Sequence, residues 1–151
     1  PLMEDRYMRQ LKILPLLYIK ASMLSECEVM GDDGLETFVT EDDYEVIRIN
    51  IQELLADRDD YLDVFVDDMK YSDTPIRKSI AEDLADIYQV TKDFVCQFRS
   101  GLNGTMHDAL AQCRNLFMEY WGQTLVNTMR ALHEVKYCKS DEEEEDFLYN
   151  D

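Results

Sequence analysis

Over the first two dozen residues, Tyr7, Leu11, Leu14, Leu17, Tyr18 and Met23 recur near a 3.6-residue period, which predicts a helix over Glu4–Leu24. Pro15 lies inside it and cannot donate to the carbonyl of Leu11, so a kink is expected there. Residues 25–40, SECEVMGDDGLETFVT, hold two glycines, five acids and no sustained period. That is the pattern of a surface loop with a turn at Gly31–Gly34, beneath which Phe38 and Val39 are expected to tuck. Thr40 followed by Glu41, Asp42 and Asp43 reads as a helix start, because the hydroxyl can accept from an orphan amide and the carboxylates complement the positive end of the dipole. The stripe Tyr44, Ile47, Ile51, Leu54, Leu55 then continues through Arg58, Leu62, Phe65 and Met69. A break near Ala56–Asp59 and a second helical piece over DRDDYLDVFVDDMK are predicted.

Ser72-Asp73-Thr74-Pro75 is a second start signal, with capping side chains ahead of a proline suited to the first helical turn. Ile76, Ile80, Leu84, Ile87, Thr91, Phe94 and Phe98 follow in steps of four and three, and Gly101 fits the stop. Thr105 is expected to cap a final helix reaching Tyr137, about 50 Å long. Gly122 beside Trp121 is expected to mark the close approach of a neighbouring helix, with a mild bend. No segment alternates with period two long enough to predict a strand. The expected class is all-α: an up-down antiparallel bundle of four to five helices in a single domain over residues 1–140, with residues 141–151 as a solvated acidic tail.

Charge changes what such a bundle could do. The 151 residues carry 33 Asp and Glu against 15 Lys and Arg, a formal net charge of −18. Binding to nucleic-acid phosphates or to an anionic membrane needs clustered cations, and both are excluded. A hydrophobic fraction of 46% supports a real core all the same. The charge is also unevenly spread. Residues 26–73 hold 17 acids against three bases, and residues 141–151 add seven acids and no base, while everything else is slightly basic.

Cys27, Cys96, Cys113 and Cys138 show no zinc-ligand spacing, and Cys96 and Cys113 sit among apolar residues, as small core side chains do. The longest apolar stretch, Ile13–Leu24, is 12 residues and interrupted, too short to span a bilayer. A reduced, cytoplasmic protein is the expectation. The residues three before His107 and His133 are Gly104 and Arg130, not the glutamates of a di-iron bundle, and both histidines read as surface residues. Nucleophile-elbow, Walker and dinucleotide motifs are missing from the sequence.

The carboxylates offer two readings. Asp57, Asp60 and Asp63 recur every three residues and Asp67 and Asp68 follow, stacking like charges along one predicted helix flank. Each such pair costs an isolated helix about 0.2–0.5 kcal/mol, and only Arg48, Arg58 and Lys70 lie between Thr40 and Asp73 to relieve it. A non-enzymatic interaction module presenting Asp57, Asp60, Asp63, Asp67 and Asp68 to a basic protein partner is the expected function, with no cofactor. Under the alternative, Asp57, Asp60 and Asp63 with Asp83 and Asp86 of the next helix would hold Mg²⁺ through oxygen ligands. That arrangement resembles the all-α nucleotide pyrophosphohydrolases, although Asp stands where their longer Glu is expected and no basic run serves the phosphates.

The segments LKILPLLYIKAS, MKYSDTPIRKSIAEDLADIYQ and WGQTLVNTMRALHEVKY together resemble a bacterial domain-of-unknown-function family, the one numbered 5063, over most of Leu11–Tyr137. The resemblance implies a compact cytoplasmic bacterial protein and supplies no catalytic residue. It also implies a further helix ahead of the position of Pro1, whose removal would leave a core face open to self-association.

Overall fold

The computed structural model of the protein describes residues 2–63 and 75–138. They are mostly helical, with one two-stranded ribbon. The first helix, α1 (Leu2–Ser22), continues through Pro15 as a single element. Leu14 and Ala21 face the core and Leu11, Leu17 and Leu24 pack against it, while Ile13, Leu16 and Ile19 stay exposed. Residues 24–40 carry no helix or strand, only a bend at Asp32 and Asp33. At α2 (Glu41–Leu55) the expected cap is present in reciprocal form: Asp43 N donates to Thr40 Oγ1 and Thr40 N donates to Asp43 Oδ2, both at 3.1 Å.

The break after Leu55 is sharper than its sequence suggests. Ala56 has φ +52° and ψ −121°, a conformation L-residues avoid, and a short 3-10 turn (Ala56–Arg58) follows. The second helical piece predicted after it is not formed at its start. Asp60–Asp63 is strand β1, paired antiparallel with β2 (Ile76–Ser79), with Asp60 opposite Ser79 and Asp63 opposite Ile76. The prediction of no strand was wrong because hydrophobicity and burial are out of step here. Tyr61 and Asp63 point inward while Asp60 and Leu62 point outward, so the alternation cannot be seen in apolar residues alone. Residues 64–74, the rest of that predicted helix and the Ser72–Thr74 cap, lie outside the described residues.

Pro75 precedes β2 instead of opening a helix. The helix starts five residues later, at Ile80. Ser79 caps α3 (Ile80–Phe98), its hydroxyl accepting from Glu82 N at 3.2 Å. Asp59 reinforces it from the other side of the ribbon. Its main-chain carbonyl accepts from Ile80 N at 2.9 Å, its Oδ1 from Ala81 N at 2.7 Å and its Oδ2 from the Ser79 hydroxyl at 2.5 Å. A helix start otherwise leaves four amides without a partner, so this buried carboxylate does the work of a cap supplied from a distance. Ile80, Ala81, Leu84, Ala85 and Ile87 are buried, and α3 touches α2, α4, α5 and β2. It ends at Phe98, and Gly101 takes the expected left-handed turn at φ +72°.

The final stretch is helical from α4 (Asn103–Leu116) to α5 (Gly122–Tyr137), but not as the single α-helix expected. It starts at Asn103, two residues before Thr105, and a π turn (Phe117–Trp121) interrupts it. What comes close to Gly122 is its own preceding turn rather than a neighbouring helix. A Cβ built there would lie 2.5 Å from the Phe117 carbonyl oxygen and 3.0 Å from its ring. The turn aims Trp121 into the core, where its Nε1 donates to the Cys113 carbonyl at 3.2 Å and its ring meets Phe117 edge-on. Phe117 in turn packs against Tyr18, and α1 lies on α5. All four cysteines are free; Cys113 is buried and Cys96 half-buried.

Replacing Ala56 by glycine removes about 1–3 kcal/mol of backbone strain and costs about 0.4–1 kcal/mol in unfolded-chain entropy. Ala56→Gly is therefore expected to stabilise the protein, read as a higher urea midpoint with an unchanged slope.

Candidate functional site

The carboxylates singled out in the sequence are dispersed. Asp57 is exposed in the 3-10 turn, and Asp60 is exposed on β1, 3.6 Å from Arg77. Asp63 is buried at the far end of that strand, and Asp67 and Asp68 lie outside the described residues. Because β1 replaces the predicted helix, Asp57, Asp60 and Asp63 do not stack along a helix flank. Among the described residues no group of three or more His, Cys, Asp or Glu is placed to hold a metal ion.

Asp83 and Asp86 do sit one turn apart on α3, and each is engaged by hydroxyls. Asp83, buried, accepts from the Tyr61 hydroxyl and from Thr128 Oγ1, the latter at 3.3 Å. Asp86 accepts from Tyr44 at 2.7 Å and Tyr120 at 2.6 Å. These bonds tie the ribbon, α2, the π turn and α5 to one stretch of α3. Burial pushes the Asp83 carboxyl up to about 6, against the pull of Tyr61, Lys78 and Thr128. Burial and their carboxylate acceptors also raise Tyr44, Tyr61 and Tyr120 well above the usual phenol range. With four hydroxyls from four elements on two carboxylates, this cluster is a structural junction.

The open site lies at the other end of α3. The acidic loop is strapped across α3 and α4 by side chains that accept from, or donate to, its backbone. Asp108 Oδ1 accepts from Met30 N at 2.8 Å and Oδ2 from Gly31 N at 2.9 Å. Asp93 Oδ1 takes both Phe38 N and Val39 N, at 2.7 and 2.8 Å. Gln97 Nε2 donates to the Glu36 carbonyl at 2.9 Å, and His107 Nε2 lies 2.9 Å from that of Glu28 and donates to it. Arg114 adds an ion pair to Glu26 at 3.4 Å. The two amides on Asp108 hold its carboxyl below the usual carboxylate range.

This strapping leaves a cleft of about 540 Å³ between the loop, the end of α3 and the start of α4. Asp32, Asp33, Glu36 and Asp108 line it, with Met30, Leu35, Phe38 and Leu102 as apolar wall, and among the described residues no Lys or Arg lines it. The segment is the surface loop its sequence predicts, but Phe38 does not tuck beneath it. Instead Phe38 is 43% exposed and Met30 76% exposed.

The chain belongs to the family described as Domain of unknown function (DUF5063), which matches residues 3–138. The crystal structure of protein BF1032 from Bacteroides fragilis is similar at 52% identity, with a TM-score of 0.79, over 92% of this chain and 80% of that one. No curated protein matches.

A carboxyl whose folded-state value is raised stabilises the fold when protonated, so the contribution of Asp83 is complete below its unfolded value near 3.8 and is lost as pH rises through about 6. The span corresponds to about 2–3 kcal/mol. In Asp83→Asn, scanning calorimetry at several pH values between about 4 and 7 is expected to show the difference in Tm from the parent shifting steadily in the variant's favour as pH rises.

Proposed function

We propose that the protein is a non-enzymatic interaction module whose acidic side receives a basic segment of a partner protein. The observation that carries this reading is the concentration of exposed carboxylates on the stretch from the loop to β1. Glu41, Asp42, Glu53 and Asp57 are exposed, and no described cation forms an ion pair with them. Of the cations nearby, Arg48 holds Glu45 at 2.7 Å and Arg77 faces Asp60. Exposed ion pairs are each worth little, about 0–1 kcal/mol, so such a face favours fast, salt-sensitive association over tight binding.

The reading takes the helices as an up-down antiparallel bundle in a cytoplasmic protein. The short connection between α3 and α4, residues 99–102, supports antiparallel neighbours. Asp57, Asp60 and Asp63 contribute unequally: the first two are available to a partner, and Asp63 is turned inward.

Fluorescence anisotropy with a labelled arginine-rich peptide tests the proposal. Binding is expected, weakening about tenfold or more as salt rises from about 50 to about 300 mM, and weakening further in the Asp57→Asn, Asp60→Asn double variant. Binding that ignores salt, or none at all, overturns it.

A further inference from the structure

We propose that the partner segment is received in the cleft beneath the acidic loop, and that it inserts an apolar side chain there while its cations meet Asp32, Asp33 and Glu36. The inference rests on the acidic-face reading and adds one place and one ligand chemistry to it: the cleft lies at the opposite end of α3 from Asp57 and Asp60, so it holds the partner's apolar anchor and flanking cations while those two carboxylates meet cations elsewhere on the partner. Two properties of the cleft coincide. Among the described residues its four carboxylates face no Lys or Arg in the lining, so a cation gains and an anion is repelled. The start of α4 brings about half a positive charge, too little to reverse the sign set by three exposed carboxylates. Its wall is apolar and uncovered: Leu102 is 65% exposed and Met30 and Phe38 stand beside it. A purely polar cation would leave that surface wet, and a purely apolar ligand would leave the carboxylates unmatched. A basic peptide with an aromatic or large aliphatic anchor satisfies both.

The cleft is also built before anything binds. Asp93, Gln97, His107 and Asp108 already fix the loop backbone, so the partner does not have to order it. Asp108 has both oxygens committed to Met30 and Gly31, which makes it the loop's support and leaves recognition to Asp32, Asp33 and Glu36.

The test compares two labelled peptides, Arg-Arg-Lys-Trp-Lys-Arg-Arg and the same sequence with Ala for Trp, by anisotropy on the full chain. The Trp peptide is expected to bind about tenfold more tightly. Leu102→Ser together with Met30→Ser is expected to abolish that preference while sparing the Ala peptide. Leu102 is the capping residue of α4 and makes no side-chain cap bond, so serine there favours the helix and a loss cannot be put down to unfolding. Asp32→Asn with Asp33→Asn is expected to weaken both peptides. Equal binding of the two peptides, or a Trp preference that survives the Ser variant, overturns this inference and leaves the acidic-face reading standing. If neither peptide binds, both readings fall.

Discussion

The start of α3 depends on a carboxylate that arrives from outside the helix. Asp59 offers three acceptors in one place, and the amides of Ile80 and Ala81 and the hydroxyl of Ser79 converge on them. Because Asp59 directly precedes β1 and Ser79 ends β2, the same contact closes the ribbon and sets its register. The register puts Tyr61 inward, next to Asp83, and Asp83 reaches Thr128 on α5. Removing the Asp59 carboxylate while that start stays buried would leave the Ala81 amide without its acceptor, at a cost of about 1–3 kcal/mol for the unsatisfied group. The strained backbone at Ala56 is tolerable in this light, since the turn it makes delivers Asp59 three residues later.

The same device recurs in the loop. Asp93 and Asp108 each take two consecutive backbone amides from residues 54 to 78 positions away in sequence. The 33 acids are thus of two kinds. Among the described residues, Asp59, Asp93 and Asp108, buried or half-buried, hold backbone amides, and Asp83 and Asp86 hold side-chain hydroxyls, while others such as Asp32, Asp33, Glu36 and Asp57 stand in solvent. Net charge counts both kinds alike, so it overstates how much of the protein's acidity is open to a partner.

What the sequence disclosed was local. The Thr40–Asp43 cap, the stop at Gly101 and most of the α3 stripe follow from residues within a turn of one another, and they stand where the pattern places them. The apolar period of residues 76–98 could not separate Pro75 from Ser79 as the start, because two capping signals occur in succession and the choice is made by Asp59, 20 residues upstream. Leu62 facing solvent while Asp63 faces the core concealed β1 for a similar reason: strand pairing and the burial of Tyr61 override hydrophobicity there. The cleft was unreadable because its walls come from three separate segments. Only the acidity of the loop, five carboxylates in residues 26–40 of which Asp32, Asp33 and Glu36 line the cleft, is visible in the sequence.

The π turn at Phe117–Trp121 has a consequence beyond seating an indole. Inserting one residue into a helical repeat of 3.6 advances every later side chain by about 100° around the axis. The run from Asn103 to Tyr137 is therefore one rod with a phase shift in it. Ahead of the shift its inner face packs mainly on α3, and beyond it the inner face is shared between α3 and α1. An uninterrupted helix of the same sequence would carry a single stripe along its length and could not be in phase with both sets of neighbours. One extra residue thus lets a single rod serve two differently oriented layers of packing.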